Sequence, residues 1–86
     1  MKIRFDKKFK QQYKKLPPNM QEQFDGRLRL FIIDQTNLLL RLHPLSGRFA
    51  GYYSINISGD LRALFYRDNG EIIIFSLIGT HSQLYG

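Results

Sequence analysis

The sequence predicts an α+β domain in which a short N-terminal strand and a two-helix hairpin pack on one face of an antiparallel β-sheet. Three observations lead there. Apolar residues recur at helical spacing between Phe9 and Ile32. From Tyr52 to Ile78 the apolar period shortens to two. Two turn signals, Ser58-Gly59-Asp60 and Asp68-Asn69-Gly70, divide that second stretch into three strands.

Taken in order, Ile3 and Phe5 alternate with charged neighbours, which predicts a short strand. Asp6 is placed to cap a helix whose stripe is Phe9, Tyr13 and Leu16, with lysines outside it. Leu16 precedes Pro17, so that helix ends there. Asn19 is the expected cap of a second helix, which buries Phe24, Leu28, Phe31 and Ile32 and ends near Asp34. In the sheet, a loop of Asp68, Asn69 and Gly70 sets Arg67 opposite Glu71, with Gly70 in the left-handed conformation. Phe65 then faces Ile73, and Ala63 faces Phe75. A three-residue loop at Ser58-Gly59-Asp60 aligns Ile57 with Leu61, Ile55 with Ala63 and Tyr53 with Phe65. The expected inner face is therefore Tyr53, Ile55, Ile57, Leu61, Ala63, Phe65, Ile73, Phe75 and Leu77, covered by the helices. The outer face carries a polar row, Asn56, Arg62 and Ser76. It also carries Leu64, Ile72 and Ile74, which are too apolar for bare surface and mark a place where the chain's own tail or a partner docks.

A chain of 86 residues has room for one domain, expected to span 1–86. Seven phenylalanines and five tyrosines support a real core. Lysines and arginines break any N-terminal secretory signal, and no apolar run is long enough to cross a bilayer. The absence of cysteine fits a reducing compartment, so a cytoplasmic protein without a membrane partner is expected. The net charge is +6, and Lys2, Arg4, Lys7, Lys8, Lys10, Lys14 and Lys15 crowd one end of the chain. Such a face marks a polyanionic partner (nucleic acid, an acidic protein segment or anionic lipid) or a solvated lysine-rich helix.

The chain has two histidines, His43 and His81, each in a loop or just after a strand. Neither stands at metal-ligand spacing with other residues, so no metal and no cofactor are expected. The last eight residues, Gly79-Thr80-His81-Ser82-Gln83-Leu84-Tyr85-Gly86, follow the final strand directly. A turn there brings His81 and Tyr85 toward Arg62 and Asp60. Imidazole, guanidinium, carboxylate and phenol together suit cleavage of RNA by its own 2′-OH. One group takes the hydroxyl proton, a cation stabilises charge building on phosphorus, and an acid protonates the leaving 5′-oxygen. An aromatic ring holds a base by stacking.

These residues resemble the RelE superfamily of bacterial toxins, and within it the YafQ-like branch. The resemblance covers nearly the whole chain. It rests on the basic helical hairpin, the His-Pro-Leu-x-Gly loop at His43 to Gly47, the aromatic sheet, and the ending Gly-Thr-His followed by a hydrophobic and an aromatic residue. It implies a RelE-like fold and the toxin of a type II toxin–antitoxin system. The implied activity is that of a ribosome-dependent endoribonuclease, an mRNA interferase that cuts messages in the 70S A site without a metal. The implied partners are the ribosome, the message and a cognate antitoxin, with operator DNA reached only through the antitoxin complex. His81 matches the main catalytic histidine, and His43 matches the loop histidine. Asp60 matches an acidic residue before a strand, and Arg62 resembles the arginine on the scissile phosphate. Tyr85 matches the C-terminal aromatic residue. Asn56 departs from the pattern, standing where YafQ-like members carry a further histidine. Asn56, Arg41 and Arg48 are expected to contact RNA. The alternative is a ParE-like toxin, which shares the fold but inhibits DNA gyrase without cutting RNA; its members generally lack the histidine-rich ending.

Overall fold

The computed structural model describes residues 1–86. The elements are β1 (Lys2–Phe5), α1 (Lys7–Lys14), α2 (Pro18–Ile33), β2 (His43–Pro44), β3 (Tyr52–Ser58), β4 (Leu61–Asp68), β5 (Ile72–Thr80) and α3 (His81–Tyr85). Short 3₁₀ turns at Leu38–Leu40 and Gly47–Phe49 flank β2. The five strands lie in the order β1-β5-β4-β3-β2. All neighbours are antiparallel except β1, which pairs parallel with β5. The expected α+β arrangement therefore holds, with a mixed rather than wholly antiparallel sheet.

Asp6 caps α1 as expected, its carboxylate accepting the Phe9 N–H at 2.9 Å. The second helix starts earlier than expected. Pro17 is its cap and Pro18 its first residue, so Asn19 lies inside it. Proline at the first helical position loses nothing, because that N–H has no partner in a helix anyway. Phe24 and Phe31 are buried, but Ile32 is 53% exposed and does not reach the core. The hairpin is tied by Gln21 Nε2 donating to the Tyr13 carbonyl at 3.0 Å and by the Tyr13 hydroxyl donating to Asp25 at 2.9 Å. Partial burial raises the Tyr13 pKa above its usual 10.0, and the hydrogen bond and charge of Asp25 push it the same way.

The core is aromatic. Phe75 is fully buried at its centre, within 5.4–5.9 Å of the rings of Phe5, Phe9, Phe24, Phe31 and Phe65. Truncating such a ring to alanine costs about 3–5 kcal/mol. This cluster glues the helices to the inner face of the sheet.

Two irregularities in the sheet depart from simple alternation. Between β3 and β4, Tyr53 faces Phe65 and Ile55 faces Ala63 as expected, but Ser58, not Ile57, is the partner of Leu61. The loop is thus Gly59-Asp60, with a bulge at Ile57. Arg27 Nε donates to the Ile57 carbonyl at 2.9 Å and so satisfies the group that the bulge turns out of the ladder. Between β4 and β5, the loop is Asn69-Gly70-Glu71, and Arg67 faces Ile73 rather than Glu71. Asn69 and Gly70 both take positive φ, 54° and 75°. Phe65 accordingly faces Phe75 instead of Ile73. A second bulge follows at Ser76, after which Leu64 faces Leu77 and Ala63 faces Ile78. Ile78 therefore takes the core place expected for Leu77, and the polar row becomes Asn56–Arg62–Gly79 without Ser76.

Candidate functional site

The outer face of the sheet is where the chemistry-bearing residues gather. Its central row, His43–Ser54–Leu64–Leu77, lies beside the row Asn56–Arg62–Gly79. Leu64, expected to lie where the chain's own tail or a partner docks, is fully buried, and Ile72 and Ile74 are half-buried. The chain's own tail folds back as α3 against β5, burying Leu84.

That tail is closely specified. Thr80 accepts the Gln83 N–H at 3.2 Å, and Gln83 Oε1 accepts the Thr80 N–H at 2.8 Å, a reciprocal cap of α3. Gly79 lets the helix settle on the strand. A Cβ there would stand 3.0 Å from Gln83 Oε1 and 3.5 Å from a Leu84 methyl. At the far end Arg48 donates to the Leu84 carbonyl at 3.1 Å. Within one helical turn, His81 and Tyr85 fall at i and i+4, with ring centroids 4.8 Å apart. His81 is exposed, and Tyr85 is half-buried against Phe49 at 5.5 Å, edge to face.

Arg62 sits across from Gly79, two residues before His81. Its Nη1 donates to the Asn56 side-chain oxygen, to the Gly59 carbonyl at 2.8 Å and to the Leu61 carbonyl at 3.3 Å. All three bonds use one nitrogen. The Nε and Nη2 edge keeps its donors for a ligand, in the fork geometry that suits a phosphate. Asn56, which lacks the imidazole of the YafQ pattern, thus holds the guanidinium in place. Asp60 lies exposed in the adjacent turn without a hydrogen-bond partner. It is next to Leu61, which faces Thr80 at the root of α3.

His43 enters from the outermost strand. Its Nδ1 is 2.8 Å from the Arg41 carbonyl. A carbonyl only accepts, so Nδ1 carries the proton, and Nε2 of the neutral ring is the free acceptor. Arg41 presents that carbonyl from a left-handed backbone, φ 47° and ψ 43°, a conformation that costs about 1–2 kcal/mol for a residue with a Cβ. The Arg41 side chain is exposed.

The fold therefore pairs Arg62 with Asn56 across from Gly79, two residues before His81, and sets Tyr85 beside His81 one helical turn further on. His43 is one row away, and no hydrogen bond joins it or Asp60 to the others. Arg48 is tied to the tail. Sequence reasoning missed Phe49, which links Tyr85 to Tyr52, and the Arg41 carbonyl, whose role depends on a backbone angle that no residue pattern announces. No group of three or more His, Asp or Glu side chains is arranged to hold a metal ion. No helix is long and apolar enough to cross a membrane.

A family model described as "Bacterial toxin of type II toxin-antitoxin system, YafQ" matches residues 1–86. No curated protein sequence matches the chain. Among solved structures, YafQ from E. coli strain BL21(DE3) superposes with a TM-score of 0.81 at 19% identity, covering 98% of this chain and 97% of the other. The E. coli DinJ–YafQ complex matches with a TM-score of 0.70 at 21% identity, covering 98% and 97%. The RelB–RelE antitoxin–toxin complex from Methanococcus jannaschii matches with a TM-score of 0.74 at 20% identity, covering 95% and 94%. At these identities the likeness is one of fold.

Proposed function

Because the chain belongs to the YafQ family of type II toxin–antitoxin toxins, we propose that its 1–86 domain is a ribosome-dependent endoribonuclease that cuts messenger RNA in the A site. The observation that carries this reading is the Arg62 fork, held by Asn56 and set across from Gly79, two residues before the His81 that opens α3 and whose ring lies 4.8 Å from that of Tyr85. Arg62 offers two free donor positions to the scissile phosphate and stabilises charge as it grows on phosphorus. His81 is the principal proton-transfer group. Tyr85 orients the nucleotide by stacking. His43 assists through its free Nε2, and Asp60 helps to fix geometry or to move a proton. Asn56, Arg41 and Arg48 contact RNA, and Asn56 also steadies Arg62. The nucleophile is the substrate's own 2′-OH, so the scheme requires no metal. The products are a 2′,3′-cyclic or 3′-phosphate and a 5′-OH.

The partners of this reading are the ribosome, the message and a cognate antitoxin in the cytoplasm, with operator DNA bound only through the toxin–antitoxin complex. The relatives seen with DinJ and with RelB support the antitoxin. A surface for it is the apolar patch of Ile33, Leu38 and Leu39, which are 81%, 89% and 58% exposed.

The test is to induce the chain and map transcript ends. New 5′-OH ends inside coding regions are expected, and they should vanish in a folded His81→Ala variant, since losing a proton-transfer group costs about 10²–10⁴ in rate. DNA breaks with intact messages would sink the nuclease and favour a gyrase inhibitor.

A further inference from the structure

Beyond the proposed cleavage point, the outer face carries a shallow, open concavity of about 370 Å³ at the other end of the sheet. Tyr52 and Tyr66 form its aromatic side, their rings 5.5 Å apart and inclined at 69°. The Ala50-Gly51 backbone, Ser76 and Asp6 complete it. Both tyrosines are half-exposed.

A pair of surface tyrosines alone is ordinary sheet surface. Two observations set this pair apart. First, the rings continue without a break to the proposed active site. Tyr66 meets Tyr52, Tyr52 meets Phe49 at 6.0 Å, Phe49 meets Tyr85 at 5.5 Å, and Tyr85 meets His81 at 4.8 Å. Second, the cleft's polar groups suit a base edge and not a phosphate. One Asp6 oxygen caps α1, which leaves the other without a protein partner. The guanidinium of Arg67, although Arg67 borders the cleft, lies over the rings of Tyr53 and Phe65 and donates to Gln35. The cleft thus has a carboxylate and no committed cation, which repels a phosphate and accepts a hydrogen bond from a nucleobase. Outside the cleft, the nearest cation in the same sheet row is Arg4, two strands from Tyr66 across Ile74.

We propose that the Tyr52–Tyr66 cleft is a nucleobase subsite for single-stranded RNA, holding a message base remote from the cut. Tyr66 is four residues along β4 from Arg62, which is about 13 Å at the usual strand rise. That is further than one nucleotide reaches, so the bound base is not one that borders the cleaved bond. The proposal rests on the nuclease reading for its substrate class, but not for its binding test.

The experiment has two arms. In the first, a single-stranded adenosine hexanucleotide is titrated into the purified chain and followed by NMR. The ring signals of Tyr52 and Tyr66 should shift, and Tyr66→Leu should remove the effect while Tyr66→Phe preserves it. In the second, message cleavage on ribosomes is mapped for the same variants. Tyr66→Leu should cut about tenfold more slowly, within the 1–3 kcal/mol typical of one base–aromatic stack, and with an altered choice of sites. Shifts confined to His81 and Tyr85 would overturn the subsite, as would a Tyr66→Leu variant that cuts the same sites at the wild-type rate. Shifts at Tyr52 and Tyr66 with no message cleaved would instead overturn the nuclease and leave the subsite standing. If Tyr66→Leu does not fold, the wild-type titration still decides.

Discussion

Arg48 and Leu84 are hydrogen-bonded across 36 residues, guanidinium to main-chain carbonyl, at 3.1 Å. The bond joins the loop after β2 to the last turn of α3. It satisfies a helix C-terminal carbonyl with a cation, the favourable polarity for that end. Arg48→Ala should therefore loosen the tail. We expect faster amide exchange in residues 81–85, a stability loss of about 0.5–1.5 kcal/mol and reduced message cleavage. An unchanged exchange pattern would show that the packing of Leu84 holds the helix by itself.

Asn56 should matter through Arg62. Asn56→Ala frees the guanidinium from its side-chain acceptor and should slow cleavage about ten- to a hundredfold, the scale set by small misplacements of a reacting group. Asn56→Asp keeps an acceptor but sets a negative charge against the cation, so it should cut no faster than the alanine variant. Single-turnover rates on programmed ribosomes distinguish the two. A fully active Asn56→Ala enzyme would separate Asn56 from catalysis.

Arg41 offers a test of backbone against side chain. Arg41→Gly accepts the left-handed conformation freely and should leave the proton of His43 on Nδ1, while weakening RNA binding through the lost charge. Arg41→Val resists that conformation and should release the ring. Nitrogen NMR of the imidazole reads the tautomer directly. Equal behaviour of the two variants would contradict the role given to the carbonyl.

Tyr13 predicts an alkaline limit to stability. Its pKa is raised in the folded chain, first by burial and then by Asp25. The neutral phenol is thus favoured by folding. Its contribution is complete below the unfolded value of about 10 and is lost as pH rises through the folded value. Melting temperatures across pH 8–11.5 should fall at the upper end. Tyr13→Phe should flatten that fall while lowering stability at neutral pH by about 0.5–1.5 kcal/mol for the lost hydrogen bond.

Much of this molecule was legible from residue order. The cap at Asp6, the aromatic faces of Phe9, Phe24 and Phe31, and the β3–β4 pairs Tyr53–Phe65 and Ile55–Ala63 all follow from periodicity and turn chemistry. The bulges did not. A strand's alternation carries no mark of an extra residue, because a bulge is decided by what the neighbouring elements can satisfy. Arg27 accepts that burden at Ile57, and it comes from a helix distant in sequence. The same blindness moved Ser76 out of the polar row and exchanged Leu77 for Ile78 in the core. The parallel pairing of β1 was equally silent, since nothing in Ile3 and Phe5 states which neighbour they choose. In the site, residue types were readable, but the hydrogen bonds that aim them were not. Asn56 stands where the YafQ pattern has a histidine, and nothing in residue order states that it accepts a hydrogen bond from Arg62.

The pairing of β1 with β5 has a consequence for when this protein comes into being. Lys2 to Phe5 stand far ahead in the chain of their partners, Ile72 to Phe75. Phe75 is also the ring about which the aromatic core closes. Contacts so distant along the chain are made late, after their loop entropy has been met. Without β5 the two helices and β4 lack both the strand that joins β1 to the rest of the sheet and the ring on which the core closes, so the domain closes only when its two distant ends meet.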